Sequence, residues 1–161
     1  MKTAKCVVVD PVHKVVAEGW LTFEEAQRWI GCELMERVSM GGGTSLWLNE
    51  EGWLIGEPVP WLLRNRLFAG KAVFVGEENE EGWSDVRIPL DLIQTLVGWV
   101  PDHLREKALD LGTKDMARCY SWDRKGMEEM RQDANRRETE IEVLLAERER
   151  CRIQETSLFR R

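Results

Sequence analysis

The chain has 161 residues, of which 43% are hydrophobic and 32% charged, with a net charge of −6. That length supports one good core with an appendage, and the acidic balance argues against a surface built broadly for phosphate backbones. No run approaches the ~20 apolar residues of a membrane span, and the start, MKTAKCVVVDP, lacks a signal-peptide apolar region, so a cytoplasmic protein with no membrane association is expected.

Residues 4–10, AKCVVVD, form a β-branched run stopped by Asp10-Pro11, and Val15 to Ala17 can return as its partner. Thr22-Phe23-Glu24-Glu25 spells a capping box. Phe23, Ala26, Trp29 and Ile30 share one helical face, and Gly31 sits where a left-handed residue would end the helix. A helix over 23–30 is predicted. Residues 32–38, CELMERV, alternate as a strand, with Glu33, Met35 and Arg37 on one side and Leu34, Glu36 and Val38 on the other. The Gly41-Gly42-Gly43 run that follows reads as a strand connection. A phosphate loop would need a Gly-Lys-Ser/Thr and a helix after it, and neither is written here.

The stretch from Ser45 to Gly76 organises the rest. Leu46-Trp47-Leu48 and Trp53-Leu54-Ile55 flank Asn49-Glu50-Glu51-Gly52, the pattern of a β-hairpin with Gly52 in its left-handed position. A short helix from Pro60 to Phe68 is predicted next, with Trp61 and Leu62 on a greasy face and Arg64 and Arg66 on a basic one. Residues 71–76, KAVFVG, read as a fully buried strand. Asn49-Glu50-Glu51-Gly52-Trp53 recurs as Asn79-Glu80-Glu81-Gly82-Trp83, which reads as repeated turn chemistry. Helices are predicted over 89–97, burying Leu92, Ile93, Leu96 and Val97, and over 101–109, ended by Gly112.

From about residue 113 the texture becomes highly charged. Met127, Met130, Ala134, Ile141 and Leu144 fall on a heptad stripe, so a long C-terminal helix, coiled-coil in pattern, is predicted to pair with another copy. The fold expected is α+β: a mostly antiparallel sheet of five or six strands with helices on one face, plus that helix. Residues 1–112 would be the globular domain and 113–161 the extension.

Chemistry is sparse. The cysteines (Cys6, Cys32, Cys119, Cys151) form no C-x-x-C pair and the histidines, His13 and His103, are isolated, so neither a metal site nor a nucleophile–base pair is predicted. No catalytic residue, cofactor or metal ligand is assigned. Eight tryptophans accompany a single tyrosine. Most should cover the core, but Trp53 and Trp83, each just past an acidic turn, are candidate partner anchors together with Arg64 and Arg66.

The opening strand ending Val9-Asp10-Pro11, the Asn49-Glu50-Glu51-Gly52 turn and the closing Val73-Phe74-Val75-Gly76 resemble small uncharacterised domains of bacteriophages and plasmids, over about residues 4–76. The resemblance implies a mobile-element accessory protein inside the bacterial cell, and it brings no catalytic residue. The function expected is therefore non-enzymatic: binding and inhibiting or redirecting a host protein, as in counter-defence, by a homo-oligomer. The alternative is a binder of a small anionic nucleotide at an oligomer interface, through Arg64 and Arg66. Nucleic-acid binding by Arg131, Arg136, Arg137, Arg148, Arg150 and Arg152 is disfavoured by the glutamates between them.

Overall fold

The computed structural model describes residues 2–54, 56–64, 66–118 and 143–150. In chain order the elements are β1 (Ala4–Asp10), β2 (Val15–Leu21), α1 (Phe23–Ile30), β3 (Met35–Gly41), β4 (Thr44–Asn49), β5 (Pro60–Leu63), β6 (Arg66–Ala69), β7 (Ala72–Val75), β8 (Glu78–Asn79), β9 (Gly82–Trp83), α2 (Leu90–Leu96), β10 (Val97–Trp99) and α3 (Arg105–Arg118). Residues 143–150 are also helical. They form two compact units, Met1–Val59 with Ala69–Val97, and Pro60–Phe68 with Gly98–Arg161.

The first unit is built on a five-stranded sheet in the order β2-β1-β7-β4-β3. Two hairpins, β1–β2 and β3–β4, are joined by β7, which pairs antiparallel with β1 on one side and β4 on the other. A strand in that place is walled in on every side. Accordingly Ala72, Val73, Phe74 and Val75 are all buried, matching the alternation-free run. On one sheet face Ala4, Cys6, Trp47, Val73 and Val75 pack with Ala26 of α1, and Phe23, Trp29 and Ile30 close over them. On the other face Val7, Val9, Leu46, Leu48 and Phe74 are equally buried.

Local chemistry explains α1. The Thr22 hydroxyl accepts from the Glu25 N–H at 3.2 Å and the Glu25 carboxylate accepts from the Thr22 N–H at 2.8 Å, which is the reciprocal capping box. Gly31 ends the helix at φ +80° and donates its N–H to Gln27. Lys71, entering β7, donates to the Trp29 carbonyl at 3.3 Å and lies 5.0 Å over the Trp29 ring, a cation at the helix C-terminus. β3 and β4 meet through Gly42 and Gly43, at φ +60° and +72°, as a two-residue primed turn requires.

Four expectations are corrected here. Trp53 and Leu54 form a turn, not a returning strand, and β4 finds its partners in β3 and β7 instead. Residues 60–68 are two strands, not a helix, with Arg64 at φ +54° between them. α3 continues across Gly112, and Leu92 of α2 is exposed while Ile93 is buried.

The second unit contains a three-stranded sheet, β10-β5-β6. Its core joins Leu62, Val100, Ala108 and Leu111 to Leu144 from the helical segment 143–150. Beside that core, Glu147 lies 3.4 Å from His103, and a Cβ at Gly98 would stand 2.8 Å from the Arg148 guanidinium carbon. Of the residues on the predicted heptad stripe, Leu144 is fully buried in its own unit, and Met127, Met130, Ala134 and Ile141 lie outside the described residues, as does most of the predicted long helix.

Candidate interaction surface

The first unit presents one turn where apolar and acidic side chains share the surface. Asn49 ends β4, and its Oδ1 accepts from the Glu51 N–H at 3.0 Å, an Asx turn. Gly52 then donates to the Asn49 carbonyl at 3.0 Å and Leu54 to the Glu51 carbonyl at 2.8 Å. Glu50 donates to the Leu34 carbonyl at 3.2 Å, which prolongs the β3–β4 ladder by a step and draws the 32–34 segment alongside. The Gln27 side chain donates to the Glu33 carbonyl from α1. Gly52 is needed for proximity, since its φ is not positive: a Cβ there would lie 2.9 Å from the Ala69 carbonyl oxygen.

This frame leaves Leu34 65% exposed and Leu54 62% exposed, with Trp53 half-buried between Gly52 and Leu54. Glu33, Glu36, Glu50 and Glu51, in the same segments, are exposed too. The only cation on the adjoining stretch of β3, Arg37, donates from Nε to the Ser45 hydroxyl at 3.2 Å. Burial raises the Cys32 thiol pKa above its ordinary value. The arrangement offers exposed apolar side chains on segments that also carry four exposed carboxylates. It offers no nucleophile with a base.

The anchors singled out from sequence are distributed differently. Trp53 belongs to this turn. Trp83 is 4% exposed, packed 5.3 Å from Phe23 and 5.5 Å from Trp47 between ring centroids, so it serves the core. Arg64 and Arg66, in the second unit, are exposed, and the Arg66 guanidinium sits 5.0 Å over the Phe68 ring. Leu34 and Leu54 were read as strand residues and missed as surface. The signal available was that Trp53-Leu54-Ile55 does not alternate, as a half-buried strand should.

The repeated Asn-Glu-Glu-Gly turn does repeat its chemistry in part. Asn79 Oδ1 accepts from the Glu81 N–H at 2.9 Å, as Asn49 does from Glu51. The glycines diverge, because Gly82 sits at φ +115° and Gly52 does not adopt positive φ. A polar cleft of about 340 Å³ beside the second turn is lined by Lys2, Glu81, Asp85 and Arg87 among others. Two of its side chains are committed to the fold: Asp85 Oδ1 accepts from the Lys5 N–H at 2.9 Å, and the Ser84 hydroxyl donates to the Glu77 carbonyl at 2.8 Å.

The histidines are paired with carboxylates at the surface. His13 Nδ1 donates to Asp10 Oδ2 at 2.8 Å. Burial alone would raise the Asp10 pKa, but hydrogen bonds from the His13 ring and backbone, with the charges of His13 and Lys71, outweigh it and hold that carboxyl below its usual value. Among the described residues no group of three or more His, Cys, Asp or Glu could hold a metal ion, and no helix is long and apolar enough to cross a membrane.

Residues 2–98, well over half of the chain, match the model of a family described as a domain of unknown function (DUF3846). The match reaches beyond β7 to take in α2. No curated protein and no solved structure matches the chain.

Proposed function

The chain belongs to the DUF3846 family of domains of unknown function, and from that premise we propose that it is a non-enzymatic binding protein that docks on another protein through the Asn49–Leu54 turn. One observation carries the reading: Leu34 and Leu54, both more than 60% exposed, flank a turn whose backbone is fixed by hydrogen bonds. Exposed apolar side chains on a rigid frame are disposed for contact, because little conformational freedom is lost on binding. The setting is that of a phage or plasmid accessory protein in a bacterial cell, which inhibits or redirects the host protein it meets; the resemblance of the Val9-Asp10-Pro11, Asn49–Gly52 and Val73–Gly76 stretches to such domains supports this reading.

The test places a photo-crosslinking amino acid at position 54 of the full chain, in the cells that carry its gene. The reading requires one protein to be captured, its capture to be lost in Leu34→Glu, and the purified pair to bind. Capture that ignores Leu34→Glu, or none at all, refutes it. Self-association through Met127, Met130, Ala134 and Ile141 is a separate proposal, refuted by a monomeric mass in light scattering across a wide concentration range.

A further inference from the structure

We infer that the partner of this surface is a basic, amphipathic segment of protein, one that sets apolar side chains on Leu34, Trp53 and Leu54 and Lys or Arg side chains on the surrounding glutamates. The inference rests on the binding reading above and adds the chemistry of what is bound. Glu33, Glu36, Glu50 and Glu51 are all exposed, and none of them has an ion-pair partner among the described residues. Arg37 is directed to the Ser45 hydroxyl. Four exposed carboxylates against the one guanidinium of Arg37 leave the local charge negative, on a chain whose net charge is already −6.

Complementarity selects among occupants. Nucleic acid and anionic lipid would bring phosphate against these carboxylates and be repelled. A second copy, docked by the same patch, would oppose glutamates to glutamates, since a two-fold interface pairs each surface with itself. An acidic or neutral peptide would use the leucines and leave four carboxylates unanswered. A basic amphipathic segment alone meets both halves of the surface: apolar contact supplies affinity, and opposite charge steers encounter and fixes orientation.

The probe is a fluorescein-labelled peptide of about 15 residues, long enough to close a helix on binding, with leucines on one face and lysines on the other. A twin carries glutamate at every lysine position. Fluorescence anisotropy is read against the full chain, against Leu34→Ser/Leu54→Ser, and against Glu50→Gln/Glu51→Gln. All substituted side chains are exposed, and circular dichroism verifies the fold. The lysine peptide should bind, weaken about tenfold with the serine pair, and weaken severalfold with the glutamine pair while losing part of its salt dependence. The glutamate twin should bind at least about tenfold more weakly.

Equal binding of the two peptides overturns the inference. So does unchanged affinity in either variant, which would assign binding to overall charge or another surface, and so does no binding of the lysine peptide. The two proposals fail separately. A partner crosslinked at position 54 through an acidic or uncharged segment preserves the binding function and overturns this inference. Selective lysine-peptide binding with nothing captured in cells upholds the surface chemistry and refutes the function.

Discussion

Replacing Leu144 by alanine tests whether the helix at 143–150 is part of the second unit's core. Leu144 is fully buried, and its cluster contains Leu62, also fully buried, with Val100, Ala108 and Leu111. Truncation removes the side chain's transfer free energy and leaves a cavity, a combined loss of about 2–5 kcal/mol in well-packed cores. Ala108 has no side-chain rotamer with which to fill the space, and β-branched Val100 has few, so little collapse is available. The upper part of the range, about 3–5 kcal/mol, is expected. At about 2–4 °C per kcal/mol for a chain of this size, the melting point should fall by roughly 6–20 °C.

The assay is urea unfolding followed by tryptophan fluorescence. Trp61, fully buried and 5.2 Å from Phe68, reports from the second unit. The measurement is repeated over a hundredfold range of protein concentration. A loss below about 1 kcal/mol would refute the packing argument. A midpoint that rises steeply with concentration in the parent chain and not in Leu144→Ala would refute it differently, by showing that Leu144 acts between copies.

Three further outcomes follow from the first unit. Gly76→Ala should destabilise by about 2 kcal/mol or more in a denaturant melt, because its Cβ would fall on the Asp85 carbonyl oxygen and the Ser84 hydroxyl; Gly31→Ala, with open space and only φ +80° against it, should cost about 1 kcal/mol, and equal costs would contradict the clash. Thr22→Ala should lose about 1 kcal/mol, largely restored by Thr22→Ser, which keeps the hydroxyl that accepts from Glu25; an unaltered melt would show the box to be inert. Burial pushes the Cys6 thiol up from 9.0 to about 11, so the folded chain holds this proton where the unfolded chain releases it. The corresponding stability, up to about 2–3 kcal/mol, is complete below pH ~9 and drains as pH rises to ~11. The stability difference between the parent and Cys6→Ala should therefore be constant below pH ~9 and shift by up to about 2–3 kcal/mol against the parent as pH rises to ~11; a pH-independent difference would refute the linkage.

How much of this could be read from sequence depended on how local the cause was. The β1–β2 hairpin, the capped helix α1 and the buried strand β7 follow from patterns within about ten residues: β-branched runs, a hydroxyl three residues before a glutamate, an apolar stretch without alternation. The fold class follows too, as an α+β protein with a five-stranded antiparallel sheet. So does the Asx chemistry of both Asn-Glu-Glu turns, because an asparagine side chain reaches only its near neighbours.

The partners of β4 were a tertiary decision. Trp53-Leu54-Ile55 is apolar enough for a strand, though it does not alternate, but β3 and β7 occupy both edges of β4, and a strand has no third edge. The same holds at 60–68, where helix and strand patterns of Trp61, Leu62 and Leu63 are equally apolar, and sheet pairing with β10 chose between them. The candidate surface is a by-product of that choice. Once the returning strand is displaced, Leu54 has no sheet to cover and remains in water, as Leu34 does. Trp83, with the same preceding residues as Trp53, is drawn into the Phe23–Trp47 cluster instead. Local chemistry shapes a turn, and the space left by the other strands determines whether the side chain beyond it is core or contact.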